Sequence, residues 1–167
     1  MGLAAASSQY VEYAANAVLG FGAAEKTIDF WVRPYTNAAA ATRIIMGSGN
    51  LSSTVGWHCA TYNRAFSWRV GNTTIAAVWG TLFTEAWHHV ALVRWNDAGT
   101  LRYKCFLDGT NGYQNSTQVT SGSDPAFRVG NGNALEASRY FDGAIDCLRI
   151  SDVARWTADF TPPTVYS

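Results

Sequence analysis

The fold of this chain is decided by a segment near its end, in which a glycine opens a run of alternating side chains. The segment is Phe141-Asp142-Gly143-Ala144-Ile145-Asp146-Cys147-Leu148-Arg149-Ile150-Ser151. Alternation of apolar and polar residues is typical of a strand that buries one face and exposes the other. Ser151 can cap free amides ahead of Asp152 to Trp156, so we predict one short C-terminal helical turn there. A strand of this kind closes a β-sandwich.

Ten further runs predict strands, with turns rich in glycine and asparagine between them. The expected strands are Gln9–Tyr13, Thr27–Arg33, Arg43–Gly47, Gly56–Tyr62, Ala65–Val70, Thr73–Val78, Trp87–Trp95, Leu101–Leu107, Tyr113–Val119 and Phe127–Val129. Apart from the C-terminal turn, helix is nearly absent from this reading. The sequence therefore predicts an all-β chain, and its 167 residues fit one domain spanning 1–167 with a substantial core.

The composition argues against two classes of partner. Twelve basic and twelve acidic residues give zero net charge, and only 14% of the residues are charged, against about 25% in an average globular protein. A nucleic-acid groove needs a stripe of Lys and Arg to neutralise phosphates, whereas the ten arginines here are scattered. No stretch approaches the roughly twenty apolar residues of a membrane-spanning helix. We therefore expect neither nucleic-acid binding nor membrane insertion.

The cysteines indicate a reducing compartment. Cys59, Cys105 and Cys147 all fall within predicted strands, and their number is odd, whereas an extracellular domain more often carries an even set. We therefore predict three buried thiols in a protein that folds in the cytoplasm. Residues 1–8 show no basic and apolar regions of a signal peptide, so secretion by that route is not indicated.

Alternation along the strands also predicts an outward face with the chemistry of a sugar site. Trp31 and Arg33 should point away from the core in their strand, and Arg69 should do so in the strand Ala65–Val70. A ring can stack on a pyranose while Arg and Asp hydrogen-bond its hydroxyls. These three residues are therefore candidate ligand contacts, with packing inside the fold as the stronger alternative for Trp31.

In the last strand, strict alternation assigns each side chain to one of two faces. It places Asp146, Leu148 and Ile150 on one side, and Cys147 and Arg149 on the other. The same alternation puts the apolar members of the strand Thr27–Arg33 in the core.

Two tryptophans lie next to expected turns. Trp95 directly precedes the turn Asn96-Asp97-Ala98-Gly99, and Trp79 precedes Gly80. A large ring on a loop tip lowers solubility unless it meets a partner. Two alternatives stay open at this point: the rings contribute to an interface with protein or glycan, or each folds back over the end of its own sandwich.

Four motifs, in matching order and spacing, resemble the laminin-G-type jelly rolls of the concanavalin A-like lectin/glucanase superfamily. They are Thr27-Ile28-Asp29-Phe30-Trp31-Val32-Arg33-Pro34, Trp87-His88-His89-Val90-Ala91-Leu92-Val93-Arg94, Phe106-Leu107-Asp108-Gly109, and the closing strand with its continuation Ala154-Arg155-Trp156-Thr157 and Phe160-Thr161-Pro162-Pro163. The resemblance extends from about Gln9 to Pro163. It implies a two-sheet antiparallel jelly-roll sandwich.

The resemblance also implies a setting. The closing motif looks especially like laminin-G-type domains of bacteriophage structural proteins and bacterial surface proteins. It implies a non-enzymatic virion structural protein, a capsid decoration or tail-fibre component, located on the virion surface. Other virion or surface proteins, host glycans and further copies of the chain would be its partners. The alternatives are a stand-alone carbohydrate-binding lectin and, more distantly, a glycoside hydrolase relative without its catalytic carboxylates.

The same resemblance bears on catalytic and metal-binding residues. Glycosidases of this class resemble one another in a Glu-x-Asp strand motif, and Glu-x-Asp occurs nowhere in this sequence. Asp142 and Asp146 are the nearest arrangement, so we assign no catalytic residue. Some laminin-G-type modules hold calcium with one or two Asp side chains. Asp97, Asp108 and Asp142 are weak candidates for that role, and we predict no tightly bound ion and no other cofactor.

Overall fold

The computed structural model describes residues 1–4, 7–22, 24–35, 42–49, 54–62, 65–79, 85–115, 120, 125–132 and 138–164, the side chains at 77–79 and 113–115 excepted. The strands are β1 (Gly2–Leu3), β2 (Val11–Tyr13), β3 (Lys26–Pro34), β4 (Arg43–Gly47), β5 (Trp57–Tyr62), β6 (Ala65–Val70), β7 (Thr73–Trp79), β8 (His88–Asp97), β9 (Thr100–Leu107), β10 (Thr110–Asn115), β11 (Phe127–Val129) and β12 (Gly143–Ser151). A 3₁₀ turn occupies Ala17–Leu19. In these ranges helix is almost absent, and none is long and apolar enough to cross a bilayer.

The strands form two six-stranded sheets. The first sheet has the order β1-β12-β3-β8-β9-β10, and the second has the order β2-β11-β4-β5-β6-β7. Every pairing between these strands is antiparallel. The predicted all-β, two-sheet antiparallel jelly-roll sandwich is therefore confirmed. The sequence missed β1, which pairs with β12 at the edge of the first sheet.

The core lies between the sheets and follows the predicted alternation. The inward residues of β3 are Ile28, Phe30 and Val32, those of β6 are Phe66, Trp68 and Val70, and all six are fully buried. Phe21 packs against Trp57, Trp68 and Tyr103 with ring centroids 5.0–6.1 Å apart. Removal of these large apolar surfaces from water is the main force that holds the sheets together.

The predicted C-terminal helical turn is not formed. Asp152 and Val153 form a bend, and residues 154–156 have no regular secondary structure. The backbone N–H of Arg155 donates to the Thr27 hydroxyl at 2.9 Å, and that hydroxyl donates to the Val153 carbonyl at 2.8 Å. These bonds tie the backbone of this segment to β3. The Val153 carbonyl and the Arg155 N–H therefore pair with Thr27 and not within a helical turn.

The chain after β12 crosses the outer face of the first sheet as a C-terminal strap, residues 152–164. The strap rings of Trp156 and Phe160 stack on each other at 4.0 Å and 8°. With Ala154 they pack on a small cluster of outward residues from β8 and β9, namely Ala91, Val93 and Phe106. The backbone N–H of Phe160 donates to the Gly109 carbonyl at 3.0 Å. The strap therefore covers part of this face.

A β-bulge interrupts β12 and overturns the predicted alternation there. Asp146 lies opposite Trp31 and Arg149 lies opposite Asp29, so three residue steps on β12 match two on β3. Cys147, inside the bulge, has a φ of 51°. Because of the additional residue, Asp146 and Arg149 share the outer face, whereas the regular pattern had placed them on opposite sides.

The bulge also corrects the prediction of three buried thiols. Cys59 and Cys105 are buried, whereas Cys147 is exposed. Burial raises the pKa of Cys59 and that of Cys105, because a thiolate loses its hydration in the core. Only the thiolate is strongly nucleophilic, so the two core cysteines are expected to be inert.

We therefore predict that an aromatic disulfide reagent labels one thiol per native chain. Cys147 should react first, and Cys59 and Cys105 should react only after unfolding in denaturant. Absorbance of the released thiolate measures the count. A Cys147→Ser variant serves as the control and should show no labelling in the native state. Fast labelling of that variant would contradict the buried placement of the other two thiols.

Candidate functional site

The structure places the predicted contact residues on two opposite faces of the sandwich. Trp31 and Arg33 point outward from β3 in the first sheet, and Arg69 points outward from β6 in the second sheet. Arg33 forms an exposed ion pair with Glu85 at 2.6 Å. The three residues therefore cannot contact one small ligand together, and each face has to be considered separately.

On the first sheet, a buried carboxylate organises the outer face. Asp29 is 2% exposed. It accepts two hydrogen bonds from Arg149, at 3.0 and 2.8 Å, and its Oδ2 lies 3.4 Å from His89 Nε2. The hydrogen bonds to Asp29 raise the pKa of Arg149. This bidentate geometry fixes the guanidinium beneath the strap.

Trp31 belongs to the same packed group. Its ring meets His89 edge-on at 5.3 Å, and His89 in turn contacts Trp156 and Phe160 at 5.8 and 5.7 Å. A cleft of about 200 Å³ remains beside it, lined by Asp29, Trp31, Cys147, Leu148, Arg149, Pro163 and Thr164. These contacts favour the packing alternative for Trp31.

The two tryptophans near turns have different outcomes. Trp95 is only 9% exposed and lies on the outer face of the first sheet, with the Lys104 ammonium 5.1 Å from its ring centre. Lys104 also donates to the Thr157 carbonyl of the strap. The Trp95 ring therefore folds back on its own sandwich, where it packs against Lys104 of the neighbouring strand β9. The side chain of Trp79 lies outside the described residues.

The three calcium candidates are not brought together. Asp97 is exposed at the end of β8 and pairs with half-buried Arg102. Asp108 lies at the other end of the sheet, where its carboxylate meets His88 Nδ1 and the His89 N–H, both at 2.8 Å. Asp142 precedes β12. Within the described ranges, no three His, Cys, Asp or Glu side chains gather as a metal site would require.

The outer face of the second sheet carries a line of cross-strand neighbours that are polar except for one glycine. Cross-strand pairing places Glu12, Arg128, Gly47, His58, Arg69 and Thr74 side by side from β2 to β7. We call this line the polar row. Because each of the six strands contributes one residue, the row runs across the whole width of the sheet, in which adjacent strands are about 4.8 Å apart. Arg128 and Glu12 form an ion pair at 2.6 Å at one end.

His58 is the buried centre of the polar row. It is 2% exposed, and its Nε2 has no hydrogen-bond partner among the described residues. Burial lowers the pKa of His58 to about 4, together with the positive charges of Arg69 and Arg139. The imidazole ring is therefore neutral near pH 7, because burial and the two nearby guanidinium groups all disfavour its protonated form.

Around the row, the face offers further groups to a ligand. Tyr62 is 42% exposed and Ser67 is half-buried, and both share the outward side with Arg69. Arg69 donates to the carbonyl and side-chain oxygen of Asn72, at 3.2 and 3.3 Å, which orients its guanidinium toward the turn after β6. Ile44 and Ala60 on this face are buried.

Sequence reasoning found Arg69 but missed its neighbours. His58 alternates with the core residues Trp57 and Cys59, so the pattern alone could have assigned it outward. No sequence signal indicated that the charge of Arg139 acts on His58. That effect depends on the chain returning along β4, where the Ile44 N–H donates to the Arg139 carbonyl at 2.9 Å.

Solved structures share this architecture. A CBM40 domain of the Ruminococcus gnavus IT-sialidase, bound to α2,3-sialyllactose, is similar with a TM-score of 0.61 and 15% identity, over 87% of this chain and 91% of that one. Domain 4 of an extracellular arabinanase from Geobacillus stearothermophilus, in complex with arabinotriose, gives 0.61 and 18%, over 88% and 68%. Domains LG4-5 of the mouse laminin α1 chain give 0.60 and 15%, over 93% and 46%. At these identities the likeness concerns the fold.

The sequence itself identifies the family. No curated protein shows significant similarity to the chain. The family model Laminin_G_3, described as the concanavalin A-like lectin/glucanases superfamily, matches residues 5–159. That range contains most of the described strands, including both members of the bulged β3–β12 pair and the whole polar row. On the strength of this match, the chain belongs to the concanavalin A-like lectin/glucanases superfamily.

Proposed function

We propose that this protein is a non-enzymatic carbohydrate-binding domain, and that it binds glycans on the outer face of the second sheet along the polar row. One observation carries the proposal. The half-buried Arg69 and the exposed ring of Tyr62 share this face with a buried, neutral His58. Part of the opposite face of the sandwich is covered by the strap.

The chemistry of the face suits a sugar. A tyrosine ring can stack on the apolar side of a pyranose, while Arg69 and Ser67 exchange hydrogen bonds with hydroxyls. Tyr62 and His58 are four residues apart on β5, which corresponds to about 13 Å along a strand. Arg69 is already oriented by Asn72, so binding would cost it little rotamer freedom.

The relatives support the proposal by analogy. The CBM40 domain and the arabinanase domain were each solved with a sugar bound. Their fold is also that of this chain, and one fold serves many functions. The proposal is therefore supported mainly by the side chains on this face and not by the shared fold.

We expect Arg69→Ala to weaken binding of a glycan selected from an array by about tenfold or more, because a charged hydrogen bond is worth about 1.5–3 kcal/mol. Arg33→Ala is the matched control, since both arginines are half-buried and point outward from opposite sheets. Isothermal titration calorimetry measures both affinities. Equal losses in the two variants, or a loss confined to Arg33→Ala, would contradict a site on the second sheet.

A more specific role follows from the resemblance of the closing motif alone. We propose on that ground that the domain acts in a bacteriophage virion, as a capsid decoration or tail-fibre component that contacts other proteins on the virion surface. A mass measurement in solution beside the glycan array separates the two roles. A stable oligomer without sugar binding favours the particle component, and a monomer with clear sugar specificity favours the stand-alone lectin.

A further inference from the structure

We infer that a pocket at one end of the sandwich binds a small aliphatic carboxylate, whose charged group meets Lys26 and whose alkyl part lies against small apolar residues. The pocket lies where β3 begins and β12 ends, and its volume is about 240 Å³. It is lined by Ala17, Val18, Gly22, Ala24, Lys26 and Asp152. It shares no residue with the polar row, so this inference goes beyond glycan binding and does not depend on it.

The wall of the pocket contains a buried ammonium group. Lys26 is 5% exposed. Its Nζ donates to the Val18 carbonyl and to Asp152 Oδ1, both at 2.7 Å. An ammonium group has three N–H donors, so one of them has no acceptor within the described residues. A buried donor without a partner is costly, and a ligand oxygen in the pocket would accept its hydrogen bond.

A second cation lies behind the pocket wall. Arg94 is fully buried and is the direct cross-strand neighbour of Lys26. Its Nη1 donates at 3.2 Å to the carbonyl of Phe21, which precedes the wall residue Gly22. Its Nε and Nη2 have no hydrogen-bond partner, and none of the ion pairs between described residues includes Arg94. The charge of a buried guanidinium is weakly screened, so it favours an anion near Lys26.

The carboxylates at this end of the sandwich weaken this field without cancelling it. Asp152 pairs with Lys26, but its side chain is 71% exposed, so water screens its charge. Glu25 precedes Lys26, and its Oε1 accepts the Asn96 N–H at 3.0 Å, in an exposed position at the end of β8. The two buried charges are therefore both positive, whereas the negative charges lie toward the solvent.

The size and the walls of the pocket limit the class of ligand. A volume of about 240 Å³ corresponds to about eight water molecules at about 30 Å³ each, which suits a short branched acid such as isovalerate. Val18 in the wall is 53% exposed, and an alkyl chain would remove part of that surface from water. A phosphate group needs several donors for its oxygens, and nearby Asp152 repels a second negative charge. The ligand is therefore a monocarboxylate.

The chain contains only two lysines, Lys26 and Lys104, which allows a direct test by NMR. Protein with isotope-labelled lysine gives one set of side-chain signals for each of them. Isovalerate at pH 7 should shift the Lys26 signals with a dissociation constant of about 1 mM or below. The signals of Lys104, which lies beside Trp95 on the outer face of the first sheet, should stay unchanged. Neutral isovaleramide should bind about tenfold more weakly, because charge-assisted hydrogen bonds are the stronger kind.

Two variants assign the binding to the pocket. Lys26→Met keeps the length of the side chain but removes its charge and donors, so it should abolish the preference for isovalerate over isovaleramide. Gly22→Leu adds a side chain where a methyl group meets nothing within 4 Å, so the fold should tolerate it. Its leucine should compete with both ligands and weaken their binding by about tenfold or more. Lys104→Met is the matched control and should keep both affinities. Calorimetry measures the affinities, and circular dichroism confirms that the variants are folded.

Three results would overturn the inference. Equal affinity for isovalerate and isovaleramide would show that the pocket does not recognise an anion. Parallel shifts of the Lys26 and Lys104 signals would show a general effect of added salt and no site. Unchanged affinity for isovalerate in both Lys26→Met and Gly22→Leu would place the ligand elsewhere. Each of these results leaves glycan binding along the polar row untouched.

Discussion

Gly109→Ala is expected to lower the free energy of unfolding by about 4 kcal/mol, because it displaces the strap from the first sheet. Gly109 has a φ of 78°, which costs a residue with a side chain about 1–2 kcal/mol. A methyl group there would overlap the Phe160 carbonyl oxygen and approach Pro162. The remaining loss comes from the half-buried rings of Trp156 and Phe160, since a fully buried aromatic is worth about 3–5 kcal/mol.

Gly99→Ala is the matched control for this prediction. Gly99 also lies in a hairpin turn, has a φ of 90°, and meets nothing within 4 Å of the position that a methyl group would take. Its variant should lose only the backbone strain, about 1–2 kcal/mol. Urea unfolding followed by tryptophan fluorescence gives both values. Equal losses would show that the strap contributes little to stability.

Asp29→Asn should have the second largest effect, about 2–3 kcal/mol of unfolding free energy. The substitution keeps the shape of the side chain but removes the charge that holds Arg149 through two hydrogen bonds, and charge-assisted bonds are the stronger kind. Asp29 is 2% exposed, so water cannot replace the lost interaction.

The control for this change is Asp97→Asn. Asp97 also pairs with an arginine, Arg102, but its side chain is 52% exposed. Exposed ion pairs contribute about 0.2–1 kcal/mol, so the midpoint of urea unfolding should move little. A loss at Asp29 as small as the loss at Asp97 would mean that the carboxylate is better hydrated than its burial indicates.

The sandwich could be predicted from the sequence because the alternation of apolar and polar residues is visible within each strand. Alternation in segments such as Thr27–Arg33 and Ala65–Val70 assigned the core residues correctly. The prediction failed where contacts distant in sequence decide the conformation. The strap forms no helical turn because Thr27 bonds its backbone, and the bulge at Cys147 appears only in the register of β12 against β3.

The candidate site was less predictable than the fold for the same reason. Composition and alternation singled out Arg69, but they grouped it with Trp31 and Arg33 on the other face. Strand order decides which outward residues become neighbours, and it set Arg69 beside His58. For Trp95, the sequence left open an interface with a partner, whereas the structure packs the ring against its own sheet.

The most direct test of glycan recognition along the polar row is a titration of the isotope-labelled protein with an array-selected glycan, followed by amide chemical shifts. We predict that the largest shifts occur at His58, Arg69 and their neighbours on β5 and β6. Trp31, Arg33 and the strap should stay unchanged. Shifts confined to the strap face, with the polar row unaffected, would contradict the account.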